Sequence, residues 1–259
     1  MMQRRANPLR APDGRCLREL PAWSLQPGTC WALLGPNGSG KTSLLREMGG
    51  REAPTADTPW TWQGKPLPVW HDPTWALQRA SLGQRQLLTA GITVRSVIEM
   101  GAYPWGGAGR VPATIIADVI ERWQLRALMN RRWPELSGGE QQRVQLARSQ
   151  LQLRLAGTGA GRLWLLDEPL AALDWPHQQL VIDACREAAA EGAVVVVSVH
   201  DFNSARALAS HSLVLGEDEV FAGEITSPSW RMALEQAFGL RLGEVAHPQT
   251  GCPWLVPLR

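Results

Sequence analysis

Lysine is almost missing from this chain. Of 26 basic residues only Lys41 and Lys65 are lysines, and the rest are arginines. Tyrosine occurs once and phenylalanine three times, whereas tryptophan occurs 13 times. A surplus of either charge is also absent: 26 basic residues face 24 acidic ones, a formal net charge of +2. That balance argues against a nucleic-acid partner, whose phosphates call for a basic excess. The four cysteines, Cys16, Cys30, Cys185 and Cys252, form no CxxC pair and have no histidine at a zinc-ligand offset. Free thiols in a reducing compartment are therefore expected. Apolar runs are short, residues 193–197 being an example, against the ~20 residues that a membrane-spanning helix needs. Residues 1–10 are arginine-rich and lack the apolar stretch of a secretory signal. A role at a membrane would have to come through a partner.

What is present is enough for a sizeable core. The chain has 259 residues, 44% of them hydrophobic, which suits one large α/β domain or one with a helical insert. Cys30–Leu34 reads as a buried strand running into a glycine-rich turn, with a helix over 42–48. Residues 50–75, rich in Pro, Trp, Thr and Gly, read as an irregular or antiparallel β section, and 80–84 as a short strand. Residues 92–131 carry helical spacing (Val94, Val97, Ile98; then Ile115, Ile116, Val119, Ile120, Trp123), interrupted by a glycine-rich turn at 106–109. A helix over 139–155, a loop at 157–161 and a strand at Leu163–Leu166 follow. Then come a helix at Trp175–Ala190, a strand over 193–198 and a helix over 204–209. Alternating strands and helices predict a mostly parallel sheet with ligands at the carboxyl ends of its strands.

Gly35-Pro36-Asn37-Gly38-Ser39-Gly40-Lys41-Thr42 fits the phosphate-binding pattern GxxxxGK[ST] and sits between a predicted strand and a predicted helix. Glycines let backbone N–H groups turn inward around phosphate oxygens, and the helix start adds positive potential. Lys41 supplies a point charge for the terminal phosphates, and the Thr42 hydroxyl is suited to Mg²⁺. This pattern alone leaves kinase, GTPase, helicase and transporter open.

Two further motifs narrow the choice. In Leu136-Ser137-Gly138-Gly139-Glu140-Gln141-Gln142-Arg143, Ser137 and the two glycines open a helix and form a second anion-binding terminus, with Glu140 in the first turn. Leu163-Trp164-Leu165-Leu166-Asp167-Glu168-Pro169 is a buried strand ending in two carboxylates. Asp167 can hold Mg²⁺ through water, and Glu168 can polarise an attacking water as a general base.

Together these motifs resemble the ABC ATPase family over nearly the whole chain. Residues 35–42 are similar to its Walker A motif, 136–140 to its signature and 163–168 to its Walker B; Ala172-Leu173-Asp174 resembles the D-loop, His200 the switch histidine and Gln84 the Q-loop glutamine. The resemblance implies an α/β P-loop NTPase fold: a mostly parallel sheet, an antiparallel β section and a helical subdomain. The implied division is a catalytic core at 1–85 and 136–225, a helical subdomain at 86–135 and a tail at 226–259. It further implies ATP and Mg²⁺ as cofactors. ATP would be held by Gly35, Asn37, Gly38, Ser39, Gly40, Lys41, Thr42 and Ser43 of one copy and by Ser137, Gly138 and Gly139 of a second in a head-to-tail homodimer. Asp174 would link the two sites. Thr42, Gln84 and Asp167 would hold the metal, and Glu168, His200 and Gln84 would serve hydrolysis.

The chain departs from the family pattern in three places. No aromatic occurs in residues 7–15, where the family stacks one on adenine, so Arg10 or Arg5 would have to stack instead, or base selection would be loose. Ala171 stands where serine is usual, and Glu140 where glutamine is. Neither removes a catalytic group. The insert would dock a polytopic permease, with Val97, Met100, Tyr103, Pro104 and Trp105 as groove candidates. The segments around Arg79–Leu82 and 97–104, the stretch 149–162, and a tail with Phe238-Gly239, His247-Pro248 and Pro253 resemble importers of iron-siderophores, haem or cobalamin. That implies an ATPase on the cytoplasmic face of an inner membrane, served indirectly by a periplasmic binding protein. The alternatives are an exporter subunit, a non-transport ABC protein, expected to carry coiled-coil arms or tandem ATPase halves, and an inactive regulatory module, expected to lack Glu168 or His200.

Overall fold

A computed structural model describes residues 1–11, 14–51, 58–83, 91–217, 219–246 and 253–258. The chain opens with four short strands, β1 (Met2–Arg4), β2 (Asn7–Arg10), β3 (Cys16–Leu20) and β4 (Trp23–Leu25), then β5 (Cys30–Leu34) and helix α1 (Lys41–Met48). Next come β6 (Trp60–Trp62), β7 (Lys65–Pro66), α2 (Pro73–Ala76) and β8 (Arg79–Leu82). A helical stretch follows, with α3 (Val94–Glu99), 3₁₀ turns at Met100–Trp105 and Ala108–Arg110, α4 (Ala113–Arg122) and the long α5 (Gly138–Leu155). The chain continues through β9 (Leu163–Leu166), α6 (Trp175–Ala190), β10 (Val194–Ser198), α7 (Phe202–Leu208), β11 (His211–Leu215) and β12 (Val220–Glu224). It closes with α8 (Pro228–Phe238), β13 (Arg241–Ala246) and β14 (Pro253–Leu258).

The central sheet has the order β12-β11-β5-β10-β9-β8. All of its pairings are parallel except that of β12 with β11. Strands β5, β9 and β10 are buried at every residue, as central parallel strands covered on both faces must be. Period-two alternation divides their side chains between two cores. Ala32, Leu34, Trp164, Leu166, Val195 and Val197 face α5 and α6, while Trp31, Leu33, Leu163, Leu165, Val194 and Val196 face α1 and the strands before it. Val97, Val119 and Trp123 of the helical stretch lie in the first core, with Trp164. The expected division at residue 86 lies outside the described residues.

The antiparallel section is larger than the sequence suggested. It has the order β4-β1-β6-β7, so half of its strands come from residues 2–25, where none was expected. Three-residue strands carry too few alternations to be read, and here tertiary packing decides. Residues expected as helix over 204–209 are displaced: α7 starts at Phe202 because the Asp201 carboxylate accepts the N–H of Ser204 at 2.6 Å. Val97, a groove candidate, is fully buried and is a core residue; Met100 and Tyr103 are exposed.

Tryptophans fill the space between this antiparallel sheet and α1. Trp23 and Trp60 meet edge to face at 5.5 Å, and Trp62 and Trp75 at 5.2 Å. Glu47 of α1 ties the layer together, accepting from Trp60 Nε1 at 2.6 Å and Arg4 Nε at 3.3 Å. The Arg4 side chain is fully buried. Burial lowers its pKa, and Glu47 acts in the opposite direction. Glu47→Ala should therefore destabilise the fold by about 3–5 kcal/mol, the usual cost of stranding one member of a buried ion pair. Denaturant midpoints check this, and an unchanged midpoint would refute the role given to Glu47.

Candidate nucleotide site

The carboxyl ends of β5, β9, β10 and β11 share one edge of the sheet, and the residues leaving them build the site. After β5 the chain turns through residues 35–40 into α1. Gly35 is required there: a Cβ would lie 2.6 Å from Ser39 Oγ and 2.8 Å from the Leu215 carbonyl. Lys41 folds back into the loop, its Nζ donating to the carbonyls of Gly35 at 2.7 Å and Pro36 at 3.0 Å. Burial lowers the pKa of this ammonium, opposed by the nearby Glu168 and Asp167. Among the described residues, buried Ser39 Oγ has no hydrogen-bond partner, an arrangement that suits an anionic ligand in the loop. Asn37 and Gly38 lie exposed at the apex, and Thr42 and Ser43 are half-buried in the first turn of α1.

The end of β9 meets α1 and β10. Asp167 is buried and accepts from Thr42 Oγ1 at 2.8 Å and from Ser198 Oγ at 2.7 Å. Ser198 Oγ in turn accepts the Glu168 N–H at 2.8 Å. Glu168 has φ 50°, a left-handed conformation that costs a non-glycine residue about 1–2 kcal/mol. Its Oε1 lies 2.8 Å from His200 Nε2. Four residues from three segments, Thr42, Asp167, Ser198 and Glu168, are thus chained through hydrogen bonds, and His200 adds a close contact with the Glu168 carboxylate. A cleft of about 350 Å³ opens beside them, lined by Thr42, Asp167, Leu82 and Gly83 among others. Gln84 follows immediately and lies outside the described residues.

Ser137, Gly138 and Gly139 form a second cluster. Ser137 caps α5 in a reciprocal box, its Oγ accepting the Glu140 N–H at 3.3 Å while Glu140 Oε2 accepts the Ser137 N–H at 2.7 Å. The backbone hydrogen bond from Ser137 holds the Glu140 carboxyl below its ordinary pKa. Gly139 lies against Ala172, where a Cβ would come 2.8 Å from a carbonyl. Gln142, one turn into α5, joins the two clusters by donating to the carbonyls of Glu168 at 3.2 Å and Pro169 at 3.1 Å. Asp174 caps α6, accepting the His177 N–H at 3.2 Å, and its carboxylate also meets His177 Nδ1.

The residues proposed to replace the missing adenine aromatic have other partners. Arg10 donates to the Gly14 carbonyl at 3.0 Å within the β2–β3 hairpin. Arg5 lies beside the antiparallel sheet and donates to the Thr58 carbonyl at 3.2 Å. Leucines of the hairpin approach the phosphate loop instead, since a Cβ on Gly40 would lie 2.9 Å from Leu9 and 3.4 Å from Leu17.

Among the described residues no three His, Cys, Asp or Glu cluster to hold a metal ion, and no helix is long and apolar enough to cross a membrane. The paired oxygens of Thr42 and Asp167 do fit a hard cation that keeps most of its water. Cys30 and Cys185 are buried free thiols; burial raises the pKa of Cys185 and pushes that of Cys30 up to about 12. Cys252 and His247 lie outside the described residues.

Nothing local in the sequence marks Ser198 or Gln142 for these contacts, and His177, which the sequence leaves as a surface or structural histidine, meets Asp174. Ser198 is the most consequential. Ser198→Ala would leave a buried carboxylate oxygen and the Glu168 N–H without their partner, a loss of about 1–3 kcal/mol. Thermal or denaturant unfolding measures it, and a variant as stable as the wild type would contradict the reading.

The model of the ABC transporter family matches residues 21–171. The chain is 36% identical over 251 residues to the hemin import ATP-binding protein HmuV of Gloeobacter violaceus, covering 95% of this chain and 90% of that one. It is also 36% identical over 238 residues to the protein of the same name from Streptomyces coelicolor, covering 91% and 82%. A solved metal-chelate type ABC transporter in an inward-facing conformation shares the fold, with a TM-score of 0.78 at 22% identity over 100% of this chain and 97% of that one. An ATP-binding subunit of an ABC transporter does so at a TM-score of 0.72 and 19% identity, covering 93% and 94%. The chain belongs to the ABC transporter family, among its ATP-binding subunits.

Proposed function

We propose that this chain powers uptake of haem or a related iron chelate by hydrolysing ATP at the edge of its central sheet, beneath a polytopic permease. The observation that carries the hydrolytic part is the connected chain Thr42–Asp167–Ser198–Glu168–His200 beside a buried lysine. The similarity to hemin import proteins over 95% of the chain supports the cargo.

In this reading the loop at residues 35–42 cradles the phosphates. Lys41 exchanges its two carbonyl partners for phosphate oxygens, and Ser39 Oγ gains the partner it lacks. Thr42 and Asp167 hold Mg²⁺ together with Gln84; when bound, the ion neutralises charge on the terminal phosphates. The Glu168 carboxylate takes a proton from the attacking water, and His200, 2.8 Å from it, orients that carboxylate. Ser137, Gly138 and Gly139 close the site of a second copy, and Asp174 lies between the two sites. The half-buried and exposed residues Met100, Tyr103, Pro104 and Trp105 then face the permease, with a periplasmic binding protein delivering the cargo on the other side. The segments 1–85 and 136–225 act as the catalytic core, 86–135 as the coupling subdomain and 226–259 as the tail.

Glu168→Gln should retain ATP binding while cutting turnover about 10²–10⁴-fold, the usual contribution of a general base. Nucleotide affinity and steady-state phosphate release check both halves, and wild-type turnover would remove Glu168 from the mechanism. In membranes containing the assembled permease, haem should be transported in an ATP-dependent way in preference to cobalamin and ferric siderophores. Transport of cobalamin alone would overturn the cargo and leave the hydrolytic reading intact.

A further inference from the structure

The segment carrying His200 is held at both ends. Behind it, β10 is fixed in the sheet, and the Val199 N–H donates to the Leu33 carbonyl at 3.1 Å. Ahead of it, Asp201 caps α7. A helix of only seven residues has little stability of its own, so its position depends on what it packs against.

Besides α6 and β5, α7 packs on the two-stranded ribbon β13–β14. Asn203 pairs with the backbone of Leu255 through both halves of its amide: Nδ2 donates to the Leu255 carbonyl at 3.0 Å, and Oδ1 accepts the Leu255 N–H at 2.9 Å. The side chain thus occupies the free edge of β14 as a neighbouring strand would. One turn on, Arg206 donates to the Pro253 carbonyl at 2.9 Å on the same edge and reaches Glu244 at 3.4 Å. Phe202 meets Phe238 edge to face at 5.0 Å. Beneath these contacts Leu242 and Leu255 are buried in one cluster with Ala205 and Leu208.

We propose that Asn203 is a positioning residue for His200. By pairing with Leu255 it registers α7 on the C-terminal ribbon and so sets the approach of His200 to Glu168, which makes the ribbon part of the hydrolytic apparatus. This rests on the role given to His200 above. Asn203 touches neither Glu168 nor the phosphate loop, so its effect has to pass through the helix. A small misplacement of a reacting group is enough to cost one to two orders of magnitude in rate.

The test is a double-mutant cycle in the full-length chain with Asn203→Ala, His200→Ala and the pair. Steady-state kcat and KM, ATP affinity, and hydrolysis in single-turnover reactions with enzyme in excess are measured for each. Asn203→Ala should lower kcat about ten- to hundred-fold with KM and ATP affinity within about two-fold. Once His200 is already alanine, it should change the residual hydrolysis no further. Asn203→Asp, which keeps the acceptor for the Leu255 N–H and loses the donor, should fall between wild type and alanine. Unchanged kcat in a folded Asn203→Ala protein would overturn the proposal, and so would an equal fold-loss with and without His200. If Asn203→Ala does not fold, Arg206→Ala loosens the same edge at Pro253, and full kcat in that variant would also overturn it. Wild-type turnover in His200→Ala would sink the role of the histidine itself, an outcome distinct from an inactive His200→Ala beside a neutral Asn203→Ala.

Discussion

The buried carboxylate of Asp167 is the constraint around which the site is assembled. An ionised carboxylate removed from water is costly unless its oxygens are hydrogen-bonded. Both oxygens of Asp167 are satisfied by hydroxyls distant in sequence, from Thr42 at the start of α1 and Ser198 at the end of β10. Satisfying this one group brings three segments to a common point. Ser198 then accepts the N–H of Glu168, which fixes the backbone where it enters its left-handed turn. The backbone position of Glu168 follows from how Asp167 is satisfied, before any ligand is considered.

The platform beneath that point is stiff for a reason visible in the strands. Each of β5, β9 and β10 sends alternate side chains into two separate cores, so a shift along a strand would disturb packing on both faces at once. The strand ends are therefore well-fixed anchors. The helices that follow β9 and β10 start on carboxylate caps, Asp174 and Asp201, and α5 starts on a capping box at Ser137.

The sequence discloses most where chemistry is local. The phosphate loop, Ser137 capping its own helix and the apolar strand ending in Asp167 each occupy a few consecutive residues whose spacing is set by backbone geometry, and all appear where they were expected. Legibility fails where a contact joins distant segments. Ser198 looks like the last residue of a strand, and nothing local marks it as the partner of a carboxylate 31 positions away. The strands at Met2–Arg4 and Trp23–Leu25 are too short to show a period and are defined by Trp60, Trp62 and Glu47 packing against them. Val97 sits in a stretch whose sequence resembles a docking groove, yet its position on the inner face of α3 buries it. Arg10 and Arg5, whose guanidinium planes could take the place of an adenine-stacking aromatic, donate to the Gly14 and Thr58 carbonyls, contacts that no local pattern marks.

The caps bear on how two copies would associate. Ser137 Oγ is occupied by its own helix, and the Asp174 carboxylate by the start of α6 and by His177. Alone, a single chain leaves neither group seeking a partner, so these residues offer little free energy for pairing two chains directly. The phosphate side is different: among the described residues Ser39 Oγ is buried without a partner, and Lys41 donates to carbonyls of its own loop. A terminal phosphate adds charge that the cradle and the N-terminus of α5 both favour. In the proposed sandwich most of the differential affinity between closed and open pairs must then come from the nucleotide's terminal phosphate, because a ligand shifts an equilibrium only by its preference for one state. In that proposed sandwich, loss of the terminal phosphate would remove the preference.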